Sequence, residues 1–369
     1  MSSDIDILPL QDWLPTDGKP LIIAGPCSAE NKEQLLQTAQ QIAKIPDVSV
    51  FRAGIWKPRT RPGEFEGVGE PGLKWLNTVK KETGLLTTVE VAKPLHVELA
   101  LKHNVDILWL GARTVVNPFN VQEIADAIQG SDVAVMVKNP LTPDVKLWLG
   151  AIERIHAAGI RKIIAIHRGF HYFEKSPFRN APMWEIPIEL KRIIPAIPII
   201  SDPSHICGKR DLLQPVSQKA LDLEMDGLMI ESHFDPKQAL TDAAQQITPA
   251  HLGQLLDQLV FRHKKGDINF QNKLEGLRTE IDKLDGELIQ ILAKRLEIID
   301  EIGEYKKEND ITILQMKRWA GIIRDRLSIG THLGLEERFL KTLLNVIHKE
   351  SMQRQADIFS GGEKKSEEK

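Results

Sequence analysis

Arg52, Lys57, Arg59 and Arg61 fall within ten positions in FRAGIWKPRTRPGEFEG, and no carboxylate follows until Glu64. Cations packed this closely repel one another unless anions sit among them. The whole chain carries a formal net charge of only −3, so no molecule-wide field would draw nucleic acid or an anionic membrane. The cluster is local and reads as a site for small anions. Arginine forks suit phosphate and carboxylate oxygens, and lysine adds a point charge. A second group has different chemistry. Cys27, His205 and Glu231, with Asp242 in ALTDAAQ, offer a thiolate, an imidazole and two carboxylates. That donor set suits a divalent transition metal rather than magnesium or calcium. Alone, Cys27 would pass for a small buried apolar residue and His205 for a structural histidine. Placement by the fold has to make them ligands.

From residue 20 to about 260 the chain alternates short β-rich runs with helical patterns. The runs are PLIIAGPC, SVFRAG, LTTVEV, ILWLGAR, AVMVKN, IIAIHRG, IPIISDPSH and GLMIESH. Between the first two, Leu35, Leu36, Ala39, Ile42 and Ala43 recur at helical spacing behind a capping box at Asn31 and Gln34. VQEIADAIQ and LWLGAIERIHAAG behave the same way. Eight buried-looking strands, each followed by helix or loop, predict an α/β fold, a (β/α)8 barrel of the TIM type. The doubly wound alternative would need a topological switch and usually has fewer strands. Active sites of such barrels lie at the carboxyl ends of the strands. The expected strands end, in order, on Cys27, Arg52, Glu90, Arg113, Lys138, Arg168, His205 and Glu231. One arginine there is usually a rim salt bridge; eight polar endings on one rim are hard to explain that way.

After Phe261 the character changes. RHKKGDINFQN is polar and reads as a linker over 262–272, with no strand signal beyond it. Leu274, Leu277, Ile281, Leu284, Leu288 and Ile291 step by three and four along one amphipathic helix, which Ile298, Ile302 and Tyr305 continue. ILQMKRWAGIIRDRL and GLEERFLKTLLNVIHKESMQRQ predict a second and a third helix, making a small all-α domain over 273–358. Its long first helix is expected to need a partner chain. Residues 1–19 form an N-terminal extension and 20–261 the barrel. GGEKKSEEK, within 359–369, is charged and low in complexity and is expected to be disordered. In the apolar seam of the first helix stands Arg295, and the apolar stripe of the third runs into Ser351 and Gln355. A charge in such a seam is costly unless it is paired or faces a ligand, so a polar pocket between helices is expected.

With 42% hydrophobic and 27% charged residues, the composition is that of an ordinary soluble globular protein. The start MSSDIDILPL has no signal-peptide pattern, no apolar run approaches the ~18 residues of a membrane span, and two cysteines make no disulfide framework. A cytoplasmic protein binding neither nucleic acid nor membrane is the plain reading.

GPCS, KPRT, GAR, VKN, HRG, SDPSH and GLMIE occur in this order on the expected strands. Over roughly residues 20–260 the chain thereby resembles the 3-deoxy-D-arabino-heptulosonate 7-phosphate (DAHP) synthases. The related octulosonate phosphate synthases share much of the rim but carry a KANR-like segment in place of KPRT. The resemblance implies condensation of phosphoenolpyruvate with D-erythrose 4-phosphate. It implies that Arg52, Arg113, Lys138 and Arg168 hold phosphoenolpyruvate, that Arg59 and Thr60 take the sugar phosphate, and that Lys57 lies between the substrates. It places Glu90 near the attacking water and a metal on Cys27, His205, Glu231 and Asp242, with Mn2+ the first expectation and Co2+, Fe2+ or Zn2+ the others. Arg61 has no family role and reads as a solvated charge. The family often has an N-terminal regulatory extension, and only about twenty residues precede this barrel.

LRTEIDKLDGELIQILAKR followed by IGEYK resembles the all-helical chorismate mutases, over about residues 270–356. Matching residue by residue, Arg295, Lys306, Gln315, Arg318, Ser351 and Gln355 line a chorismate pocket, and Arg278 reaches in from the second subunit of a homodimer. Two positions depart from the pattern: Gln315 stands where some members have Asp, and Trp319 where several have Glu. Three readings follow. The first is a bifunctional enzyme of the shikimate pathway, with feedback inhibition through the helical domain. The second keeps the synthase but makes the helices a chorismate- or prephenate-sensing dimerisation module of little turnover. The third gives the barrel a five-carbon sugar phosphate, as in octulosonate phosphate synthases.

Overall fold

The structure is a computed structural model describing residues 5–14, 16, 18–58, 63–262, 268–314 and 316–360, the side chains of 268–269 and 316–318 excepted. It divides into two units, Met1–Lys264 and Lys265–Lys369.

In the first unit, strands β1 (Leu21–Gly25), β2 (Val48–Arg52), β3 (Leu86–Val91), β4 (Ile107–Leu110), β5 (Ala134–Lys138), β6 (Ile163–His167), β7 (Ile199–Ser201) and β8 (Gly227–Glu231) pair in parallel and in chain order. β8 returns to β1, with Glu231 opposite Gly25, and the barrel closes. Side chains alternate across a strand with period two, and this sorts the core into two layers. Ile22, Ala24, Phe51, Leu108, Val135, Ala165 and Leu228 face the surrounding helices. Leu21, Ile23, Val50, Ile107, Trp109, Met136, Ile164, Ile166, Ile200 and Met229 fill the barrel, with Leu10 and Leu14 of the N-terminal segment packed into the same cluster. One further inward step along β2, β5, β6 and β8 reaches Arg52, Lys138, Arg168 and Glu231. The apolar interior thus gives way, at its carboxyl end, to a charged layer set by the same alternation.

The first helix, Lys32–Ile42, begins as expected: the Asn31 side chain accepts from the Gln34 amide at 2.9 Å. The reciprocal half of the capping box differs, because Gln34 Oε1 accepts from the Glu30 amide rather than from that of Asn31. Four of the residues expected to end strands lie beyond them: Cys27 follows β1 by two residues and Arg168 follows β6 by one, while two others lie on short helices. Arg113 lies on a short helix, Ala112–Val115, and His205 on another, Pro203–Cys207. In SDPSH the proline can begin a helix but not continue a central strand, and Asp202 caps the turn by accepting from the His205 amide.

Among the described residues the second unit has three helices, Ile268–Glu308, Met316–His332 and Glu337–Phe359. The first begins inside the stretch read as a linker, at residue 268, and residues 263–267 lie outside the described set. Gly303 lets the first and third helices approach closely: a Cβ there would meet Ile358 Cδ1 at 2.8 Å and Gln355 Cγ at 3.3 Å. Residues 361–369, most of the tail expected to be disordered, are outside the described residues.

Candidate functional site

Arg52 ends β2 with its side chain almost wholly buried. Its Nη2 is 3.3 Å from Glu231 Oε1, while Nε and Nη1 have no hydrogen-bond partner among the described residues. The guanidinium carbon lies 5.0 Å from the centroid of the Trp109 ring. A buried guanidinium with two unsatisfied nitrogens is costly unless an anion completes it. Lys138, also buried, donates to Asp202 Oδ2 at 2.9 Å. Burial alone would raise the Asp202 carboxyl, but the charges of His205 and Lys138 hold it well below the usual range. Arg168 donates to Asn180 Oδ1 at 2.7 Å, and burial lowers its guanidinium to about 10. Arg113 is exposed and donates to the Pro58 carbonyl at 3.3 Å.

Glu90 accepts from Trp109 Nε1 at 3.2 Å. It has room only because position 111 is glycine, since a Cβ there would lie 2.0 Å from Glu90 Oε1. Lys57 reaches from the β2 loop and donates to the Cys27 carbonyl at 3.0 Å and to Cys27 Sγ at 3.1 Å. Lys57, Glu90, Arg113, Lys138, Arg168, His205 and Asp242 line one cleft of about 300 Å3. Arg59 and Thr60, together with Arg61, lie outside the described residues.

Cys27, Glu231 and Asp242 each present a donor atom within 4.8 Å of the others. Cys27 Sγ is 3.4 Å from Asp242 Oδ2. His205 stands slightly apart, its Nε2 3.8 Å from Glu231 Oε1 and its Nδ1 2.8 Å from Asp202 Oδ2. Burial, reinforced by the Glu231 charge, pushes the Cys27 thiol up to about 12. Burial would raise the Asp242 carboxyl too, but Arg179 and His205 hold it far down. A thiol beside two carboxylates, one of them with a buried oxygen, Glu231 Oε1, that faces Arg52 at 3.3 Å yet makes no hydrogen bond, is the environment a divalent cation would complete. The residues fit a metal.

Several functional neighbours were not found from sequence. Arg179 lines the cleft and donates from Nη1 to Asp242 Oδ1 and Gln245 Oε1, both at 2.9 Å. Gln245 and Gln246 reach Glu231 Oε2 and the Cys27 amide, at 2.7 and 2.9 Å. Asp202, Asn180 and Trp109 each hold a rim cation or carboxylate. Asp202 stands in SDPSH but was not singled out there, and adjacent glutamines three residues after a candidate ligand were a legible signal.

In the helical unit, Arg295 donates to Ser351 Oγ at 2.8 Å, and Lys306 to Gln355 Oε1 at 3.1 Å and to the Ile313 carbonyl at 2.6 Å. Ser351 and Gln355 are buried. Burial lowers the pKa of both Arg295 and Lys306, and Arg326 adds to the effect at Arg295. Trp319 stacks on His348, ring centroids 3.6 Å apart. Gln315 and the side chain of Arg318 lie outside the described residues. Arg278 is exposed and pairs with Glu275 at 3.5 Å. It precedes Arg295 by seventeen positions, about 25 Å along a helix, so it cannot reach the Arg295 cluster of its own chain.

A closed parallel barrel whose carboxyl rim joins buried, anion-seeking cations to a thiol–carboxylate cluster defines a TIM-barrel enzyme acting on anionic substrates. The chain belongs to the DAHP synthetase I family, whose model matches residues 11–264. Residues 277–356 match chorismate mutase type II. A phospho-2-dehydro-3-deoxyheptonate aldolase of Thermotoga maritima is 33% identical over 241 residues, 65% of this chain and 69% of the relative. A 2-dehydro-3-deoxyphosphooctonate aldolase of Synechococcus is 27% identical, covering 64% of this chain and 86% of the relative. The crystal structure of the Thermotoga maritima enzyme, described as a DAHP synthase, superposes with a TM-score of 0.59 at 31% identity, covering 64% of this chain and 67% of that one.

Proposed function

We propose that the chain is a bifunctional shikimate-pathway enzyme. The barrel condenses phosphoenolpyruvate with D-erythrose 4-phosphate to DAHP and phosphate, and the helical unit rearranges chorismate to prephenate. The observation that carries the barrel reading is buried Arg52, two nitrogens unpartnered, beside the Cys27–Glu231–Asp242 cluster.

Arg52, Lys138, Arg168 and Arg113 clamp the phosphate and carboxylate of phosphoenolpyruvate, with Lys57 between the two substrates. Arg59 and Thr60 bind the phosphate of the sugar. Glu90, fixed by Trp109 and accommodated by Gly111, orients the water that adds at C2 of phosphoenolpyruvate after its alkene carbon has attacked the aldehyde; phosphate then leaves. The family generally uses a divalent metal. Cys27, His205, Glu231 and Asp242 would hold it, and when bound it supplies Lewis-acid polarisation of the aldehyde. Mn2+ is our first choice of ion.

Chorismate rearrangement moves no proton and needs no nucleophile. It requires a clamp on two carboxylates and donors to the ether oxygen as negative charge builds there. Arg295, Lys306, Ser351 and Gln355 form a donor-rich cluster of that kind, Gln315 and Arg318 complete it, and Arg278 of a second copy supplies the missing cation. Leu277, Ile281, Leu284, Leu288 and Ile291 are all at least half exposed on the first helix, an apolar seam that supports a homodimer through this unit. A cytoplasmic location belongs to the same proposal; among the described residues no helix is long and apolar enough to cross a membrane. We add that chorismate or prephenate bound at Arg295 inhibits the synthase.

The test is an assay of the intact chain for phosphoenolpyruvate consumption, with four- and five-carbon sugar phosphates and with and without a chelator, alongside prephenate formation. Preference for the five-carbon sugar would favour an octulosonate phosphate synthase. Binding of prephenate without mutase turnover would favour the sensing module.

A further inference from the structure

We infer that Arg179, Gln245 and Gln246 are positioning residues that lock three of the metal ligands, Asp242, Glu231 and Cys27, into one arrangement before any ion arrives; the inference rests on the metal reading above.

The geometry is a single connected brace. Arg179 Nη1 donates to Asp242 Oδ1 and to Gln245 Oε1, both at 2.9 Å. Gln245 Nε2 donates in turn to Glu231 Oε2 at 2.7 Å. The next residue performs the same service on the other side. Gln246 Oε1 accepts from the Cys27 amide at 2.9 Å, and its Nε2 is anchored on the Thr241 carbonyl at 2.8 Å. Both glutamines are buried. Two adjacent residues therefore tie the loop after β1, through Cys27, and β8, through Glu231, to the loop that carries Asp242.

The chemistry of the donors makes the brace directional. A guanidinium can only donate, so it turns the Gln245 carbonyl oxygen toward itself and leaves the amide NH2 facing Glu231. Without Arg179 the amide could flip and set its oxygen against a carboxylate. The brace occupies Asp242 Oδ1 and Glu231 Oε2 and leaves the opposite oxygens toward the cluster. Asp242 Oδ2 is 3.4 Å from Cys27 Sγ, and Glu231 Oε1, which makes no hydrogen bond, lies 3.8 Å from His205 Nε2 and 3.3 Å from Arg52 Nη2. Removing an outer partner of a metal ligand typically weakens metal binding 10–100-fold. Arg179 also lines the substrate cleft, but its Nη1 is directed at the ligand side, onto Asp242 and Gln245.

The experiment uses the full chain, stripped with a chelator and titrated with Co2+ against a chromophoric competitor. The thiolate-to-cobalt absorption and the apo melting temperature are recorded alongside. Gln245→Met and Arg179→Met are expected to raise the Co2+ Kd about 10–100-fold and to alter the cobalt spectrum. Apo melting and the mutase rate of the helical unit should stay at wild-type values. Arg179→Lys, which keeps a donor, should recover part of the affinity. If Gln245→Met disturbs folding, the more exposed Arg179→Met carries the test. Wild-type Co2+ affinity and spectrum in both variants, while Cys27→Ala loses binding, would overturn the brace and leave the metal site standing. Unchanged binding in Cys27→Ala itself would refute the metal site and the brace with it.

Discussion

At the scale of single residues, two side chains can be questioned directly. A Cβ at Gly111 would stand 2.0 Å from Glu90 Oε1, and Glu90 is also held by Trp109. Gly111→Ala must therefore displace the Glu90 carboxylate. We expect a loss of about 100-fold in synthase kcat/KM, the scale of an ångström-sized misplacement, with mutase activity unaffected; a steady-state assay of both reactions checks it. Gln355 is buried beside Lys306. A neutral amide donates at any ordinary pH, whereas Gln355→Glu can donate to the ether oxygen only when protonated. The adjacent ammonium of Lys306 would favour the ionised carboxylate, so acid must restore activity. The variant should lose about 10²–10³ in kcat near pH 7 and recover as pH falls. A flat profile would place Gln355 away from the reacting oxygen.

At the scale of elements, the end of β6 carries an acid-sensitive point. His167 is fully buried, with Nε2 2.6 Å from the Pro182 carbonyl and its ring packed near Phe170 and Trp184. Burial lowers it from 6.5 to about 4, with the Pro182 contact and Asp202 pulling upward and Arg168 downward. Because the folded pKa lies below the unfolded one, the unfolded chain binds the proton first as pH drops. The stability this histidine contributes is complete above pH 6.5 and is lost progressively toward pH 4. Full titration corresponds to about 1.4 kcal/mol per pH unit. Calorimetry of the barrel transition between pH 7 and 4 should show the decline, and His167→Gln should flatten it. A slope unchanged by that substitution would assign the acid sensitivity to other groups.

At the scale of the whole molecule, the predictions concern copies and coupling. If Arg278 serves the pocket of a second chain, Arg278→Ala and Arg295→Ala should each abolish mutase activity alone. Subunits mixed and reassembled from the two should regain about a quarter of the sites, as random exchange in a twofold dimer requires. No recovery would mean that Arg278 does not complete the pocket of a second chain. Leu284→Glu, on a side chain 62% exposed, should leave the helices folded but shift sedimentation toward the monomer. For feedback, prephenate should inhibit the synthase in wild type and not in Arg295→Ala. By reciprocity, barrel substrates should weaken prephenate binding by the same factor, typically 5–150-fold. Equal inhibition in both proteins would move the control site into the barrel.

What the sequence by itself determined was periodicity and its consequences. Short apolar runs such as LIIAG and GLMIE, buried at every position, mark interior strands whose period-two geometry sends alternate side chains inward, and eight such runs with intervening helices define a barrel. The same parity carries Arg52, Lys138, Arg168 and Glu231 to one rim, so the charged layer was legible without coordinates. Helical spacing likewise marked Arg295, Ser351 and Gln355 as misfits on apolar stripes, and they do cluster. Only the tertiary structure decided which groups pair. Arg113 and His205 left their strands because Gly111 and Pro203 begin short helices. The brace of Arg179, Gln245 and Gln246 joins residues up to 219 positions apart, which no local pattern encodes. The perturbed acidities of Cys27 and His167 arise from burial, a property of the packed barrel rather than of any neighbour in the chain.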